Sequence, residues 1–370
     1  MLVYADNAAT TKLSNAAAEA MRPILFDTIC GNPSSTHQIG QRSKALLEAA
    51  RETIAECIGA EPDEIYFTSG GTEADNWAMQ LGFPYHRLTS CIEHHAVLEC
   101  MEDGDDTFLP VSRDGLAGVP EHWDTYALSG IGFVSVMLAN NEIGTIQPVR
   151  EIAKQCRGRN ILFHTDAVQA VGHIPVDVKA LGVDMLSASA HKFHGPNGVG
   201  FLYVRKGIYM SPFIYGGGQE NGMRSGTENV PGIVGMAAAL KHEIGIMPEV
   251  KAYISAMRDR LIDGLLEISG SHLNGARDYL LPGIVNIGFD GIIGESLVLL
   301  LSQKGICVSS GSACTSGNLA PSHVLTAMGQ TEEQAKSAIR ISLSRFNTPA
   351  EIDYILETVP QCVSFLRGVT

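Results

Sequence analysis

The stretch IYFTSGGTEADNWAMQ, residues 65–80, decides what kind of fold this chain builds. Ile65 to Thr68 form a short apolar run, Gly70 and Gly71 break it, and a helical stretch follows with Glu73 and Asp75 in its first turn. Carboxylates there complement the positive end of a helix dipole. The same strand, turn and helix pattern recurs downstream. GFVSVMLAN (132–140), VREIAKQCRG, ILFHTDAVQ (161–169), DMLSASAHK and GVGFLYVRK alternate apolar runs with amphipathic ones. Strands apolar on both faces imply a mostly parallel sheet covered by helices on both sides, so the class is α/β. Functional side chains are then expected beyond the strands' carboxyl ends.

On the amino-terminal side, Leu46, Ala50, Ile54, Cys57 and Ile58 recur at helical spacing, predicting an amphipathic helix from about 40 to 58. On the carboxyl-terminal side, Ile254, Met257, Leu261 and Leu265 predict a long helix from about 250, and Pro282-Gly283 marks entry to new elements. VNIGF, ICVSS and AIRISLS read as strands, GESLVLLLSQKG and PAEIDYILETV as helices, which makes a second, α+β unit. A chain of 370 residues exceeds one ordinary core and suits two units.

Composition narrows the partners. With 26 Lys and Arg against 40 Asp and Glu, a net charge of -14 repels nucleic acid and anionic membranes. The amino terminus MLVYADNAATT has neither the basic nor the apolar region of a signal peptide, and no run of about 18 apolar residues occurs, so the cytoplasm is the expected compartment. Eight cysteines without a CxxC pair fit neither a disulfide framework nor a structural zinc site.

Several residues carry chemistry. Gly70, Gly71 and Thr72 open a helix start whose backbone N–H groups suit a phosphate, although taken alone a plain turn explains them better, and neither GxxxxGK[ST] nor GxGxxG is present. Asp166, at the carboxyl end of ILFHTDA, suits a cationic ring nitrogen or, alternatively, caps the following segment; Gln169 adds a neutral hydrogen bond from the same turn. Lys192, in SASAHKFHGPNG (187–198), sits at the mouth of an apolar strand, where lost hydration frees a neutral amine to condense with an aldehyde. A surface lysine is the alternative. Phosphate, pyridinium and aldehyde together belong to one cofactor, pyridoxal phosphate.

His94 and His95 are adjacent without an HExxH pattern; on a strand only one faces a site, and His95 is the structural one of the pair. Arg340, in AIRISLS, offers a bidentate fork for a carboxylate, or a surface salt bridge. Cys314 lies in SSGSACTSGN (309–318), a run too poor in apolar surface to pack rigidly, whereas Cys57 and Cys91 read as inert buried thiols.

Ten ordered blocks, YADNAATT, GNPSSTH, FTSGGTEADN, EHHAVLE, NNEIGTIQPV, HTDAVQAVG, SASAHKFHGPNGVG, GGGQENGMRSGTEN, SSGSACTSG and IRISLSRF, make the chain resemble cysteine desulfurases of the NifS/IscS type. These belong to the aminotransferase class V family of pyridoxal phosphate enzymes, and the resemblance covers nearly the whole length. It implies fold type I, with a large cofactor-binding domain at 13–255 and a small domain from 1–12 and 256–370, and a homodimer. Lys192 would hold the cofactor covalently and move protons at the substrate Cα. The backbone of Gly71 and the side chain of Thr72, with Ser189 and His191, would hold the phosphate, with Thr227 of RSGTEN reaching it from the partner subunit. Asp166 would pair with the ring nitrogen, Gln169 with the ring oxygen, and His94 would stack on the ring. Asn141 and Arg340 would orient the substrate carboxylate. Cys314 would take the sulfur of L-cysteine as a persulfide, releasing L-alanine, and pass it to an acceptor such as an iron–sulfur scaffold or a tRNA-thiolating enzyme. Ala190 stands where many relatives have glycine, and Gln219 where some have histidine, which leaves one proton-transfer role open.

Rival readings remain at this level. The same fold could act on selenocysteine, cysteine sulfinate or an amino-group transfer. A metal-dependent hydrolase could use His94, His164, Asp166 and His191, and a non-catalytic relative could bind partners alone.

Overall fold

The computed structural model describes residues 1–27, 30–83, 85–102, 106–118, 130–310 and 320–369. In chain order, β1 (Val3–Tyr4), α1 (Asn15–Arg22) and α2 (Gln38–Ile58) lead into β2 (Ile65–Thr68) and α3 (Gly71–Leu81). Next come β3 (His86–Ser90), α4 (His95–Leu98), β4 (Thr107–Leu109), β5 (Ile131–Ser135), α5 (Val149–Arg157) and β6 (Leu162–Asp166). A short α6 (Val178–Leu181) precedes β7 (Met185–Ser189), β8 (Gly200–Val204) and the long α7 (Val230–Leu266). The last part holds β9 (Ser271–Asn274), β10 (Ile284–Phe289), α8 (Gly294–Gln303), β11 (Ile306–Cys307) and β12 (Ser309–Ser310), then α9 (His323–Ala327), α10 (Glu332–Lys336), β13 (Ala338–Ser342) and α11 (Pro349–Val369).

Seven strands form the central sheet in the order β2-β8-β7-β6-β5-β3-β4. β4, β3, β5, β6 and β7 pair in parallel, and β8 runs antiparallel between β7 and β2. The mostly parallel α/β sheet expected from the apolar runs is therefore present. Both faces are buried, which is why the strands lack polar alternation. Phe201 and Tyr203 of β8 enter one core with α2 and α7, while Leu202 and Val204 enter the other with Trp77 of α3. Each large side chain so buried contributes about 1.5–3 kcal/mol.

Helix α7 begins at Val230, well before the start expected near 250, and carries Pro248 inside it. Its first half is rich in Gly and Ala, which hides the periodicity of leucine-type residues. The small side chains admit α1 closely: a Cβ on Gly235 would lie 2.5 Å from the Met21 sulfur. Asn229 caps the helix by accepting from the Gly232 N–H.

The carboxyl-terminal unit is a four-stranded antiparallel sheet, β12-β13-β10-β9. Val285, Ile287 and Phe289 of β10 pack with Leu261 of α7, Leu297 of α8 and Ile352 of α11 in a separate apolar cluster. The amino terminus joins this unit, since β1 pairs in parallel with β11.

Candidate active site

Parallel strands put their carboxyl ends on one side, and there a cavity of about 210 Å³ opens. Of the residues expected above, Gly71, Thr72, His94, Asn141, Asp166, Gln169, Ser189, His191, Lys192 and Arg340 line it. Thr227 is exposed and does not. Cys314 lies outside the described residues.

The turn after β2 starts α3 through Gly70, whose φ of +155° favours glycine. A Cβ on Gly71 would lie 2.6 Å from Val168 Cγ2, so only glycine lets the helix start approach β6's end this closely. The amino terminus of an 11-residue helix thus faces Ser189 and His191 across the cavity.

Lys192 follows β7 in a single tight turn and is half-buried. Its ammonium donates to the carbonyls of Ala8, at 2.7 Å, and Ala9, at 2.8 Å, both from the amino-terminal segment. Gln169 Nε2 donates to the same Ala8 carbonyl at 3.0 Å.

Asp166 ends β6 and accepts from the Val168 N–H at 2.8 Å, so it does tie the following turn while also facing the cavity. A second carboxyl, Asp75, lines the same cavity and is 1% exposed. Burial pushes the Asp166 carboxyl above the usual range, and burial with the charge of Asp166 pushes Asp75 up as well. Asp75 Oδ1 is buried without a hydrogen-bond partner among the described residues. In the sequence this residue reads as a dipole complement in the first turn of α3; in the fold it points inward.

His94 is not on a strand. It is the N-cap of α4, its Nδ1 accepting from the Ala96 N–H at 3.1 Å. That bond leaves the ring proton on Nε2, and burial together with the Lys192 charge lowers the ring's pKa to about 4. The ring facing the cavity is neutral. The separation from His95 comes from this cap geometry, and the His95 ring lies 4.9 Å from that of His323.

His164 is fully buried, with Nδ1 paired to the Ser135 hydroxyl at 2.8 Å and Nε2 to that of Ser187 at 2.9 Å. Burial lowers its pKa to about 3, so its 3.8 Å approach to Asp75 is not an ion pair. Both nitrogens being committed, His164 offers no lone pair to a metal, and the hydrolase alternative loses one of its four ligands.

Arg340 on β13 is 2% exposed and donates to the Asn141 carbonyl and the Asp6 carboxylate, each at 2.9 Å. The small unit thereby delivers a guanidinium to a cavity built by the large sheet. Three carboxyls whose burial the sequence did not show, Asp75, Glu93 and Glu142, lie near this region. Glu93 accepts from the Ser90 hydroxyl and the Met137 N–H, and Glu142 accepts from Ser322 at 2.5 Å. An acidic residue whose neighbours are small or apolar, as in SCIEHH and NNEIGT, is the one local signal that could have marked them.

The cavity fits pyridoxal phosphate on its own chemistry: an anion cradle that a Cβ would fill, a buried carboxylate for a ring nitrogen, a neutral imidazole and a lysine amine face one another. Residues 3–355 match the model of the family described as aminotransferase class V. The chain is 47% identical over 380 residues to cysteine desulfurase IscS of Methanosarcina thermophila, covering 100% of this chain and 93% of that one. A Clostridium botulinum protein of the same name is 45% identical over 383 residues, with 100% and 96% covered. A solved NifS-like protein superposes with a TM-score of 0.91 at 40% identity, covering 99% of this chain and 100% of its own. The NifS-like protein from Rickettsia africae gives a TM-score of 0.91 at 33% identity, covering 98% and 100%.

Proposed function

The chain belongs to the aminotransferase class V family, a pyridoxal phosphate-dependent one, and on that footing we propose how it works: it is a cysteine desulfurase that converts L-cysteine to L-alanine and passes the sulfur on. The observation that carries this reading is the meeting of Lys192, Asp166, His94 and Arg340 in one cavity.

When bound, the cofactor supplies an aldehyde for amine capture and a ring that withdraws electrons from the substrate Cα. Lys192 would be the covalent anchor and would move protons at that carbon; with no bond to the cofactor, its ammonium is held by the Ala8 and Ala9 carbonyls. Asp166 would pair with the ring nitrogen and favour its protonated form, and the neutral His94 ring would lie against the cofactor. Gly71, Thr72, Ser189 and His191, which line the cavity, would hold the phosphate, and Gln169 the ring oxygen. Arg340 and Asn141 orient the cysteine carboxylate.

Cys314 is the sulfur acceptor within the chain. Among the described cysteines none lines the cavity, and burial raises the thiol pKa of Cys57 to about 11 and of Cys156 to about 12, which leaves both poor nucleophiles. The Cys314 thiolate attacks the substrate sulfur; the Cβ–S bond breaks with its electron pair going to the three-carbon fragment, which is protonated and leaves as alanine, and Cys314 keeps the sulfur as a persulfide. The working form is a cytoplasmic homodimer in which the partner's copy of Thr227 completes the phosphate site. The large domain spans 13–255 and the small one 1–12 with 256–370. A protein acceptor, either an iron–sulfur scaffold or a tRNA-thiolating enzyme, takes the persulfide.

The test is alanine release from L-cysteine by the wild type and by Cys314→Ser. The wild type should turn over and the variant should retain its yellow cofactor but release alanine at least a hundredfold more slowly. Equal rates would remove Cys314 from the reaction.

A further inference from the structure

The segment Ala8–Thr11 reaches around the site and fixes His191 from two directions. Thr11 donates to the His191 carbonyl twice, from its N–H at 3.0 Å and its hydroxyl at 2.8 Å. The Thr10 hydroxyl meets the His191 ring at Nδ1, 3.1 Å away. Thr10 is itself held by the Tyr4 hydroxyl, which donates to its carbonyl at 2.8 Å, and by its own N–H to the Asp6 carbonyl.

We infer that Thr10 is a positioning residue that sets the tautomer of His191, so that the ring presents an N–H to the cofactor phosphate. The inference rests on the reading of His191 as a phosphate contact. With Nδ1 committed to Thr10, contact between the ring and a phosphate falls to Nε2. Burial and the adjacent Lys192 charge keep this imidazole neutral at pH 7, so it carries one ring proton. With that proton on Nδ1, Nε2 would turn a lone pair toward an anion and repel it. The Thr10 hydroxyl can donate to or accept from Nδ1; with a phosphate at Nε2 it donates, so the proton is held on Nε2 and the ring becomes a donor to the anion. A hydroxyl is the smallest group that performs this without adding charge beside Lys192.

The experiment compares two cofactors on the full-length protein stripped of its own: pyridoxal phosphate, and pyridoxal, which has the aldehyde and ring nitrogen but no phosphate. Binding is read by absorbance and by protein fluorescence. Thr10→Val should lower the affinity for pyridoxal phosphate about tenfold, the scale of one hydrogen bond to a charged group, and leave that for pyridoxal unchanged. Thr10→Ala should behave as Thr10→Val, and Thr10→Ser should restore the wild-type value. A loss shared equally by both cofactors would overturn the inference by making Thr10 a general structural residue, and unchanged binding of both would overturn it outright. His191→Ala separates the two layers. If it discriminates the cofactors and Thr10→Val does not, the tautomer role fails while the phosphate contact stands; if it treats them alike, the underlying reading of His191 fails.

Discussion

The Arg340 guanidinium donates 2.9 Å to the main-chain carbonyl of Asn141, 199 residues earlier in the chain. Its other terminal nitrogen holds Asp6 at 2.9 Å, and its Nε is buried without a partner among the described residues. The guanidinium is thus fixed in plane between the Asn141 carbonyl and the Asp6 carboxylate, with its terminal nitrogens at the edge of the cavity.

Arg340→Lys keeps the charge but loses the fork and the bridge between Asn141 and Asp6. Steady-state alanine release should show KM for L-cysteine raised about tenfold to a hundredfold, with a smaller change in kcat. A KM at the wild-type value would mean that Arg340 does not hold the carboxylate.

Asp166→Asn removes the carboxylate that faces the cavity while preserving shape, and so tests the proposed pairing with the ring nitrogen. The cofactor should still bind, and kcat should fall by about a hundredfold, the effect of losing one preorganised electrostatic contact. Single-turnover kinetics followed by cofactor absorbance checks this.

Lys192→Ala tests the anchor directly. Borohydride treatment followed by intact mass measurement should add the cofactor's mass to the wild type and nothing to the variant. Persistent labelling of the variant would place the anchor on another amine.

Glu93 is fully buried, and burial outweighs its donors to raise its pKa from 4.5 to about 8. The folded state therefore holds a proton that the unfolded state gives up. The resulting stability is complete below pH 4.5 and is lost as pH rises through 8. In Glu93→Gln the amide mimics the protonated acid, so unfolding free energies from denaturant titrations should match the wild type at low pH and exceed it above pH 8.

Arg51 and Glu220 form a buried pair with contacts of 2.9 and 2.7 Å, and the Phe67 N–H donates to the same carboxylate at 2.8 Å. Glu220 sits at φ +47° and Asn221 at φ +58°, strained conformations that this pair holds in place. Glu220→Ala leaves the buried Arg51 with the exposed Glu48 carboxylate and the Ile65 carbonyl as its hydrogen-bond partners, which should cost about 3 kcal/mol. Thermal or denaturant unfolding measures it directly.

Local pattern carried far in this chain. The run Ile65–Thr68 with its two glycines announced a strand and a helix start, and the doubly apolar strands announced a covered parallel sheet, because these features depend on neighbours a few residues away. His94 was marked from its sequence neighbours, and it lines the cavity, but its role as the cap of α4 was not legible, since a short helix of four residues has too little periodicity to show. The first half of α7 escaped because small residues that admit α1 carry no amphipathic stripe. Asp75 and Glu93 escaped because an acidic side chain reads as exposed until the fold encloses it.

The amino-acid order by itself determined the alternation of strands and helices, the ten blocks that mark the family, and which residue types could serve an anion, an aldehyde or a carboxylate. Only the tertiary structure decided that Asp6 and Arg340, separated by 334 residues, meet in one ion pair, and that the carbonyls of Ala8 and Ala9 receive the Lys192 ammonium. Period and propensity act within a few residues along the chain. Burial, desolvation and hydrogen-bond pairing act through space, so the state of each buried charge is settled only when distant segments close around it.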